Sequence, residues 1–530
     1  MELHGRHLIA DAPSADAADT TFTGVDPTTG DALSPPYCDA TDAEVDRALA
    51  AAEAAHSQLI DLDRESRAKF LEAVADGIMG LGDALLERAG KETALPAARL
   101  TGERGRTCAQ LRQFASVVRD GSHLEPRIDH ALPDREPLPK PDVRQMHVPL
   151  GPVVVFGASN FPLAFSVAGG DTASALAAGC PIVVKGHPNH PGTSEMVGRV
   201  IQSAVRAAGL PAGTFSLVHG RGHAVGLAMV KNPRTRAVGF TGSLSGGRAL
   251  IDAVATREDP IPVYAEMGSV NPVVILPGAA SERGEAIANG LFGAVTLGVG
   301  QFCTNPGLVF ALDDENTSAL VHRLEALAAD APDGTFLHAG IRTGYRAGCD
   351  RLDAVDGVAR SGRADGDGGP GGARATPAVY TTDAATFRDH PALAEEVFGP
   401  STLVVRCPHR DDLTAALATL SGQLTATLHA TDADLLGAGD LVALLRDCSG
   451  RLVLNGFPTG VEVCPSMHHG GPWPATSDVR TTSVGTAAVR RFLRPFCYQG
   501  FPQHLLPDEL KDGNPLGIMR LVDGAWTDDA

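Results

Sequence analysis

The 530-residue sequence lacks several features that would place it in particular classes of protein. No apolar run reaches the length of about 18 residues that a membrane-spanning helix needs, so we expect no membrane segment. Basic residues are scarce: 44 lysines and arginines stand against 63 acidic residues, giving a formal charge of −19. Such a balance argues against nucleic acid or an anionic membrane surface as a partner.

Paired cysteines and an export signal are also missing. The nine cysteines are scattered, without a Cys-x-x-Cys spacing, and the first residues lack the apolar run of a signal peptide. We therefore expect reduced thiols and a cytoplasmic protein. His468 and His469 are adjacent, but we expect no metal site there or elsewhere.

The chain is longer than one hydrophobic core usually organises, so two or three domains are expected. An apolar strand run over 147–157, a small-residue helix over 163–178 and a strand over 181–185 predict a parallel sheet with crossover helices. This pattern is typical of a doubly wound cofactor domain. The expected division is a dinucleotide-binding domain over 1–125 and 149–263, a catalytic domain over 264–454, and oligomerisation or bridging segments over 126–148 and 455–530.

Local patterns predict three further features. Thr41 followed by Glu44 has the spacing of a capping box and predicts helices from there to about Gly80. The Pro-punctuated segment 126–148 fits an exposed hairpin. Residues 360–376, rich in Gly, Asp and Arg, are too poor in apolar residues to pack and predict a surface loop.

Cys303 lies between glycines at positions 298, 300 and 307, which leave the backbone open to another molecule. A thiolate that attacks a carbonyl carbon needs such access, together with free backbone N–H groups for the resulting oxyanion. Cys303 is therefore a candidate nucleophile. On these residues alone, a loop cysteine without any function is the alternative.

Glu266 follows the β-prone stretch Ile-Pro-Val-Tyr and precedes Met-Gly-Ser, which places a carboxylate at a strand end. A glutamate among apolar residues has a raised pKa and can act as a general base near neutral pH. Taken singly, a surface residue at a strand end is the alternative interpretation.

Six ordered blocks carry a resemblance to a known family over nearly the whole chain, at 156–163, 177–185, 238–243, 264–272, 298–307 and 395–400. Together they resemble the aldehyde dehydrogenase superfamily, which implies an α/β fold with a doubly wound parallel-sheet cofactor domain, an α/β catalytic domain and an oligomerisation hairpin. Its members use NAD or NADP, and we expect a homodimer or homotetramer.

The resemblance implies oxidation of an aldehyde to a carboxylic acid through a thioester on Cys303. Asn160 matches the side chain that donates to the oxyanion, and Glu266 matches the base that activates water. Arg106, Gln110 and Phe161 match positions along the substrate tunnel. Arg104 and Arg112 are nearby alternatives to Arg106 for binding a substrate carboxylate.

The same resemblance assigns a cofactor site, although no Gly-x-Gly-x-x-Gly fingerprint follows the first strand. Pro188 stands where many NAD-preferring members carry a glutamate, so a 2′-phosphate becomes tolerable. The matching positions are Lys185 for the adenosine ribose, His187 and Arg221 for a 2′-phosphate, Gly242, Ser243 and Gly247 for the pyrophosphate, and Glu396 and Phe398 for the nicotinamide half.

Three variant stretches refine the resemblance. Ser269 in Glu-Met-Gly-Ser, the block 468–476 and the stretch 100–107 are most similar to the α-ketoglutaric semialdehyde dehydrogenases. Long-chain aldehyde dehydrogenases share part of this pattern and are the alternative. A CoA-acylating enzyme is disfavoured by Glu266, and a catalytically silent protein is disfavoured because Cys303, Glu266, Asn160 and Lys185 are all present.

Overall fold

The computed structural model describes residues 2–14, 21–362, 366 and 368–529. Its first long helices form where the sequence predicts them, at Asp42–Ile60 and Arg64–Gly80. Thr41 accepts a hydrogen bond from the Glu44 backbone while the Glu44 carboxylate accepts one from Thr41, so the predicted capping box is confirmed. Helices Gly82–Thr93 and Ala97–Asp120 follow.

A seven-stranded sheet organises the first part of the described chain. Its five parallel strands run outward in both directions from Val153–Phe156, so the topological switch point lies between that strand and Ala237–Thr241. Ligands of doubly wound sheets bind at this point, beyond the carboxyl ends of the strands. The order is Val263–Glu266, Ala237–Thr241, Val153–Phe156, Ile182–Lys185, Phe215–Val218, then His7–Ile9 and Ala12–Ser14, the last two antiparallel.

Helices cover this sheet because its strands are apolar on both faces. The crossover helices are Gly170–Ala178, Pro191–Ala207, His223–Lys231 and Leu244–Ala255. The predicted helix over 163–178 begins only at Gly170. The backbone N–H groups of Leu163 and Ala164 donate instead to the buried carboxylate of Glu103, at 2.9 Å each, which holds the preceding residues in a turn.

A second seven-stranded sheet follows, parallel except for its first edge strand. Its order is Ala359–Ser361, Ala378–Asp383, Ser401–Cys407, Leu308–Leu312, Val273–Ile275, Gln423–His429 and Ser449–Leu454. Its helices are Pro277–Thr296, Glu315–Asp330, Ala339–Asp353, Ala384–Asp389, Arg410–Leu417, Asp432–Leu435 and Gly439–Cys448. The strand Val263–Glu266 pairs in the first sheet, so the boundary between the two sheets falls after Glu266 and not at 264.

Smaller sheets complete the described structure. The predicted hairpin is the antiparallel pair Arg127–Asp129 and Val143–Pro149, within the five-stranded sheet Leu493–Gln499, Val143–Pro149, Arg127–Asp129, Arg520–Val522 and Ala525–Thr527. Two-stranded pairs join Thr21–Val25 to Ala32–Cys38 and Gly334–Thr335 to Arg374–Ala375.

The predicted loop over 360–376 is only partly a loop. Its ends are strands, and Ala373 and Ala375 are buried. Residues 363–365 and 367 of that segment lie outside the described residues. Among the described helices, none combines the length and the apolar character needed to cross a bilayer.

Candidate active site

Cys303 lies on the loop that enters the strand Leu308–Leu312. The Asn271 side chain fixes this loop by donating to the carbonyl oxygens of Cys303, at 2.8 Å, and Asn305, at 2.9 Å. Gly300 has a φ of 67°, and a Cβ there would lie 2.2 Å from the Gly399 carbonyl oxygen. Only glycine fits that position, so the backbone can turn Cys303 toward the first sheet.

Glu266 ends the strand Val263–Glu266 and reaches Cys303 from the opposite sheet. One carboxylate oxygen lies 3.1 Å from His469 Nε2, and the other accepts a 2.5 Å hydrogen bond from the Ser483 hydroxyl. Burial alone would raise the pKa of Glu266, but His469 and Ser483 stabilise the charged form and hold that pKa below its usual value. The expected rise is therefore wrong in direction, and Glu266 is an ionised carboxylate at neutral pH.

His469 connects the two groups. Its Nε2 lies 3.5 Å from the Cys303 sulfur, and the sulfur, this nitrogen and a Glu266 oxygen all lie within 4.8 Å of one another. Burial and the neighbouring Glu266 charge raise the pKa of the Cys303 thiol well above its usual range. The resting sulfur is thus a thiol beside a carboxylate.

The segment that carries His469 packs across the end of the first sheet. Glu266 and Thr476 form an antiparallel bridge, and Met267 donates its N–H to the Ala475 carbonyl at 2.8 Å. Residues 468–483 therefore close the space between the two large sheets, so part of the predicted bridging segment 455–530 lies at the candidate active site.

Asn160 follows the strand Val153–Phe156. Its side-chain nitrogen donates to the Gln301 carbonyl at 3.1 Å, two residues before Cys303. An amide carries a second N–H, and it donates without titrating. The structure thus brings Asn160 beside the loop that holds the thiol.

Aromatic rings line the approach to the sulfur. Phe161 packs edge-on against Phe165 and Phe302, with centroids 5.3 and 5.5 Å apart. The Arg106 guanidinium lies over Phe161 and Phe165, and its Nε and Nη2 atoms are buried without a hydrogen-bond partner among the described residues. The nearby Gln110 is buried, and its side-chain nitrogen also has no such partner.

The other two candidate arginines have partners elsewhere. Arg104 donates to the Gly82 carbonyl at 2.7 Å, and Arg112 pairs with Asp76 at 2.7 Å. Burial lowers the pKa of Arg106, while the neighbouring acidic groups of Glu103, Cys303 and Glu266 act to raise it. Arg106 is therefore the candidate whose charge reaches the reacting groups.

The predicted adenosine side of the cofactor site lies at the carboxyl end of the first sheet. Lys185 donates to the Gly220 carbonyl at 2.7 Å, and burial lowers its pKa to about 8. Ser243 is the N-cap of Leu244–Ala255 and accepts from the Gly246 N–H at 3.1 Å. Gly242 is exposed next to it.

His187 and Gly247 are two further residues that the sequence predicts to contact the cofactor on this side. Burial and nearby Lys185 hold the pKa of His187 well below its usual value, so His187 is neutral and offers no charge to a phosphate. Gly247 is buried, and a Cβ there would lie 2.5 Å from Met267 Sδ. Its small size lets the helix approach the strand, and the contact of its backbone with a pyrophosphate stays a prediction. Arg221 is exposed.

Glu396 and Phe398 lie together near Ser269, on the catalytic side of the same space. Burial raises the pKa of Glu396 to about 7. A Cβ on Gly268 would lie 2.4 Å from a Glu396 carboxylate oxygen. The Glu396 carboxylate therefore lies against the backbone of Gly268, which is two residues after Glu266 in the chain.

A sequence profile of the aldehyde dehydrogenase family matches residues 14–438. The chain belongs to this family. It is 52% identical to alpha-ketoglutaric semialdehyde dehydrogenase 2 of Azospirillum brasilense, in an alignment that covers 99% of each chain. It is 44% identical to the alpha-ketoglutaric semialdehyde dehydrogenase of Acinetobacter baylyi, over 99% of this chain and 98% of that protein. The predicted family is confirmed.

Solved structures of aldehyde dehydrogenases have the same fold. The gamma-glutamyl-gamma-aminobutyraldehyde dehydrogenase of Burkholderia cenocepacia superposes with a TM-score of 0.80 at 21% identity, covering 94% of this chain and 97% of that one. A betaine aldehyde dehydrogenase point mutant from Staphylococcus aureus, solved with NAD+, gives 0.79 at 21% identity over 95% and 99%. The predicted aldehyde dehydrogenase-like α/β fold is confirmed.

Two residues at the centre of this aldehyde dehydrogenase were missed by the sequence analysis. His469 was noted only as one of two adjacent histidines, and Ser483 was not considered. Both lie far along the chain from their partner, at separations of 203 and 217 residues from Glu266. The glycines that follow His469 indicate close packing, since a Cβ on Gly471 would lie 2.1 Å from the Gln423 carbonyl oxygen.

Proposed function

We propose that this aldehyde dehydrogenase oxidises α-ketoglutaric semialdehyde to 2-oxoglutarate with NADP+ or NAD+, in the breakdown of pentoses or sugar acids. The substrate assignment depends on the surroundings of the Arg106 side chain. Its unpartnered, buried N–H groups lie over the aromatic rings beside Cys303, where a substrate's distal carboxylate would otherwise lose its hydration uncompensated. The names of the two relatives above support the same substrate.

The residues act in sequence on the aldehyde. With the carboxylate held by Arg106 and Gln110, the Cys303 sulfur attacks the carbonyl carbon, and the Asn160 amide donates to the oxyanion that forms. NADP+ or NAD+, when bound, accepts the hydride and a thioester remains on Cys303. The proton that the Cys303 thiol loses passes through Glu266 to solvent, which leaves Glu266 a carboxylate again. Glu266 then takes a proton from water as the water oxygen attacks the thioester. It returns that proton to the sulfur as the carbon–sulfur bond breaks, which releases the acid and restores the thiol.

The residues present fit a dinucleotide. Lys185 uses one of its three N–H donors on Gly220, which leaves donors for ribose hydroxyls. The exposed N-terminus of Leu244–Ala255, capped by Ser243, suits a pyrophosphate because free N–H groups and the helix dipole favour anions. Glu396 would accept hydrogen bonds from the ribose next to the nicotinamide.

Steady-state kinetics across a panel of aldehydes test the proposal. We expect the highest kcat/KM for α-ketoglutaric semialdehyde, with propanal and hexanal well below it. A tenfold or greater advantage for dodecanal would instead establish a long-chain aldehyde dehydrogenase. Product release that requires added CoA would establish an acylating enzyme.

We also propose a homodimer or homotetramer. The strand Ser449–Leu454 ends the second sheet with Leu454 53% exposed, and Leu493–Gln499 ends the five-stranded sheet with Phe496 40% exposed. Unpaired strand edges bearing apolar side chains bind further strands. Light scattering after size exclusion should give a multiple of the chain mass, and Leu454→Lys should lower it. A monomeric wild type would contradict this.

We also propose that the protein is located in the cytoplasm. All nine cysteines are free thiols in the structure, and five of them are not buried. Reduced thiols persist where glutathione and thioredoxin act. Fractionation of cells expressing the protein should recover the activity in the cytosol, and recovery in an oxidising compartment would contradict the assignment.

A further inference from the structure

We propose that His469 is a catalytic residue that stabilises the Cys303 thiolate by donating its Nε2–H to the sulfur. This inference rests on the proposed function, because it assigns a role in the attack on the aldehyde. It gives the second histidine of the adjacent pair, which the sequence analysis left unused, a place in the reaction.

The contacts of the ring decide which nitrogen carries the proton. His469 Nε2 lies 3.1 Å from Glu266 Oε1 and 3.5 Å from the Cys303 sulfur. A carboxylate only accepts hydrogen bonds, so the proton is on Nε2. Nδ1 is buried and has no partner among the described residues. His469 therefore faces the sulfur as a donor and cannot take the thiol proton at Nε2.

The thiol proton consequently passes to Glu266. The S–H bond of Cys303 breaks, an O–H bond forms on the Glu266 carboxylate, and the negative charge moves from oxygen to sulfur. The neutral acid is then the weaker acceptor and the thiolate the stronger one. The His469 N–H turns from Oε1 to the sulfur, so its hydrogen bond follows the charge.

The surroundings hold the ring ready for this change of partner. The His469 backbone N–H donates to the Thr482 hydroxyl at 2.8 Å, and the Phe165 ring lies 6.5 Å from the imidazole. The residue is 1% exposed. Ser483 occupies the other oxygen of Glu266, which leaves Oε1 to His469.

A donor at this place is needed because other influences oppose the thiolate. Burial and the charges of Glu266 and Glu396 disfavour it, and among the nearby positive groups Arg106 acts in its favour. A hydrogen bond to a charged group is the remaining way to stabilise a buried anion.

The thiolate can be measured without aldehyde or cofactor. The rate at which iodoacetamide alkylates Cys303, followed by mass spectrometry of its peptide across a pH series, reports the thiolate fraction. We expect His469→Phe to move the midpoint upward by at least about one pH unit, which is a tenfold slower alkylation below the midpoint. His469→Gln, whose amide can place an N–H near the Nε2 position, should recover part of the loss. His468→Gln is the matched control and should alkylate like the wild type.

The Glu266→Gln background separates this role from a role in holding Glu266. If His469 acts on the sulfur, adding His469→Phe there should still slow alkylation. No further slowing in that background, or wild-type alkylation of His469→Phe at every pH, would overturn the proposal. If His469→Phe fails to fold, His469→Asn gives the same reading because its amide stops short of the Nε2 position. An enzyme that oxidises none of the panel aldehydes but keeps this alkylation pattern would refute the proposed function alone.

Discussion

The guanidinium carbon of Arg106 lies 5.2 Å from the centroid of the Phe165 ring. Phe165 in turn packs near His469, so the chain of contacts runs from a fixed positive charge to the reacting sulfur. A cation over an aromatic face keeps its fork of donors turned to one side. In the proposed function, this charge binds the carboxylate at the far end of the substrate.

Arg106→Ala should raise KM for α-ketoglutaric semialdehyde by an order of magnitude or more, because the carboxylate loses its bidentate donor. KM for propanal or hexanal should stay nearly unchanged. Arg112→Ala is the control, since Arg112 lies on the same helix and pairs with Asp76 at the surface. Equal losses on charged and neutral aldehydes would indicate structural damage rather than a lost contact.

Cys303→Ser should abolish oxidation, and Glu266→Gln should separate the two halves of the reaction. We expect Glu266→Gln to form about one equivalent of reduced cofactor per active site, in a burst slower than that of the wild type because Glu266 also takes the thiol proton. Turnover should then be about a hundredfold slower, because acylation precedes water activation. Stopped-flow absorbance of the reduced nicotinamide measures the burst. Undiminished turnover in Glu266→Gln would show that another base activates water.

The raised pKa of Glu396, about 7, predicts a pH dependence of cofactor binding. Below pH 7 the side chain is a neutral acid in the free enzyme and accepts ribose hydroxyls less well, so KM for the cofactor should rise as the pH falls. Glu396→Gln should remove this dependence. The exposed neighbour Glu395, which pairs with Arg351, provides the control Glu395→Gln.

The raised pKa of Glu396 also makes the stability of the fold depend on pH, and its contribution is largest at low pH. A carboxyl whose folded pKa is raised from 4.5 to about 7 stabilises the fold at low pH, and that contribution is lost as the pH rises to 7. Thermal unfolding of Glu396→Gln should therefore change less between pH 5 and pH 8 than unfolding of the wild type. A larger change in the variant would contradict the burial of this group.

Pro188 predicts that NADP+ is used at least as well as NAD+. No carboxylate stands at position 188 to bind ribose hydroxyls or repel a 2′-phosphate, and exposed Arg221 lies near the end of the neighbouring strand. Pro188→Glu should shift the ratio of kcat/KM values toward NAD+ by about tenfold. His187→Ala is a useful control, because a neutral histidine contributes no charge. A strong wild-type preference for NAD+ would contradict the argument.

The candidate nucleophile Cys303 and the candidate base Glu266 were predicted because six ordered blocks of the sequence resemble one family. The local patterns, a glycine-rich turn around Cys303 and a strand end at Glu266, left other interpretations open. The sequence could not reveal the contacts of His469 and Ser483 with Glu266, since these contacts join residues about two hundred positions apart. The glycines after His469 indicated only close packing. The direction of the Glu266 pKa was mispredicted for the same reason: local apolar neighbours suggested burial alone. The late start of the helix at Gly170 likewise depends on Glu103, a residue on a different helix.

The position of His469 and Ser483 beyond the last strand of the second sheet has a consequence for how the protein is made. The ribosome synthesises Glu266 and Cys303 before it synthesises the segment 468–483. A nascent chain can therefore lay down every strand of both seven-stranded sheets, which end at Leu454, before its thiol has the groups that control it. On the proposal made for His469, the thiol gains its hydrogen-bond donor only when residues 468–483 have been synthesised, near the end of the chain.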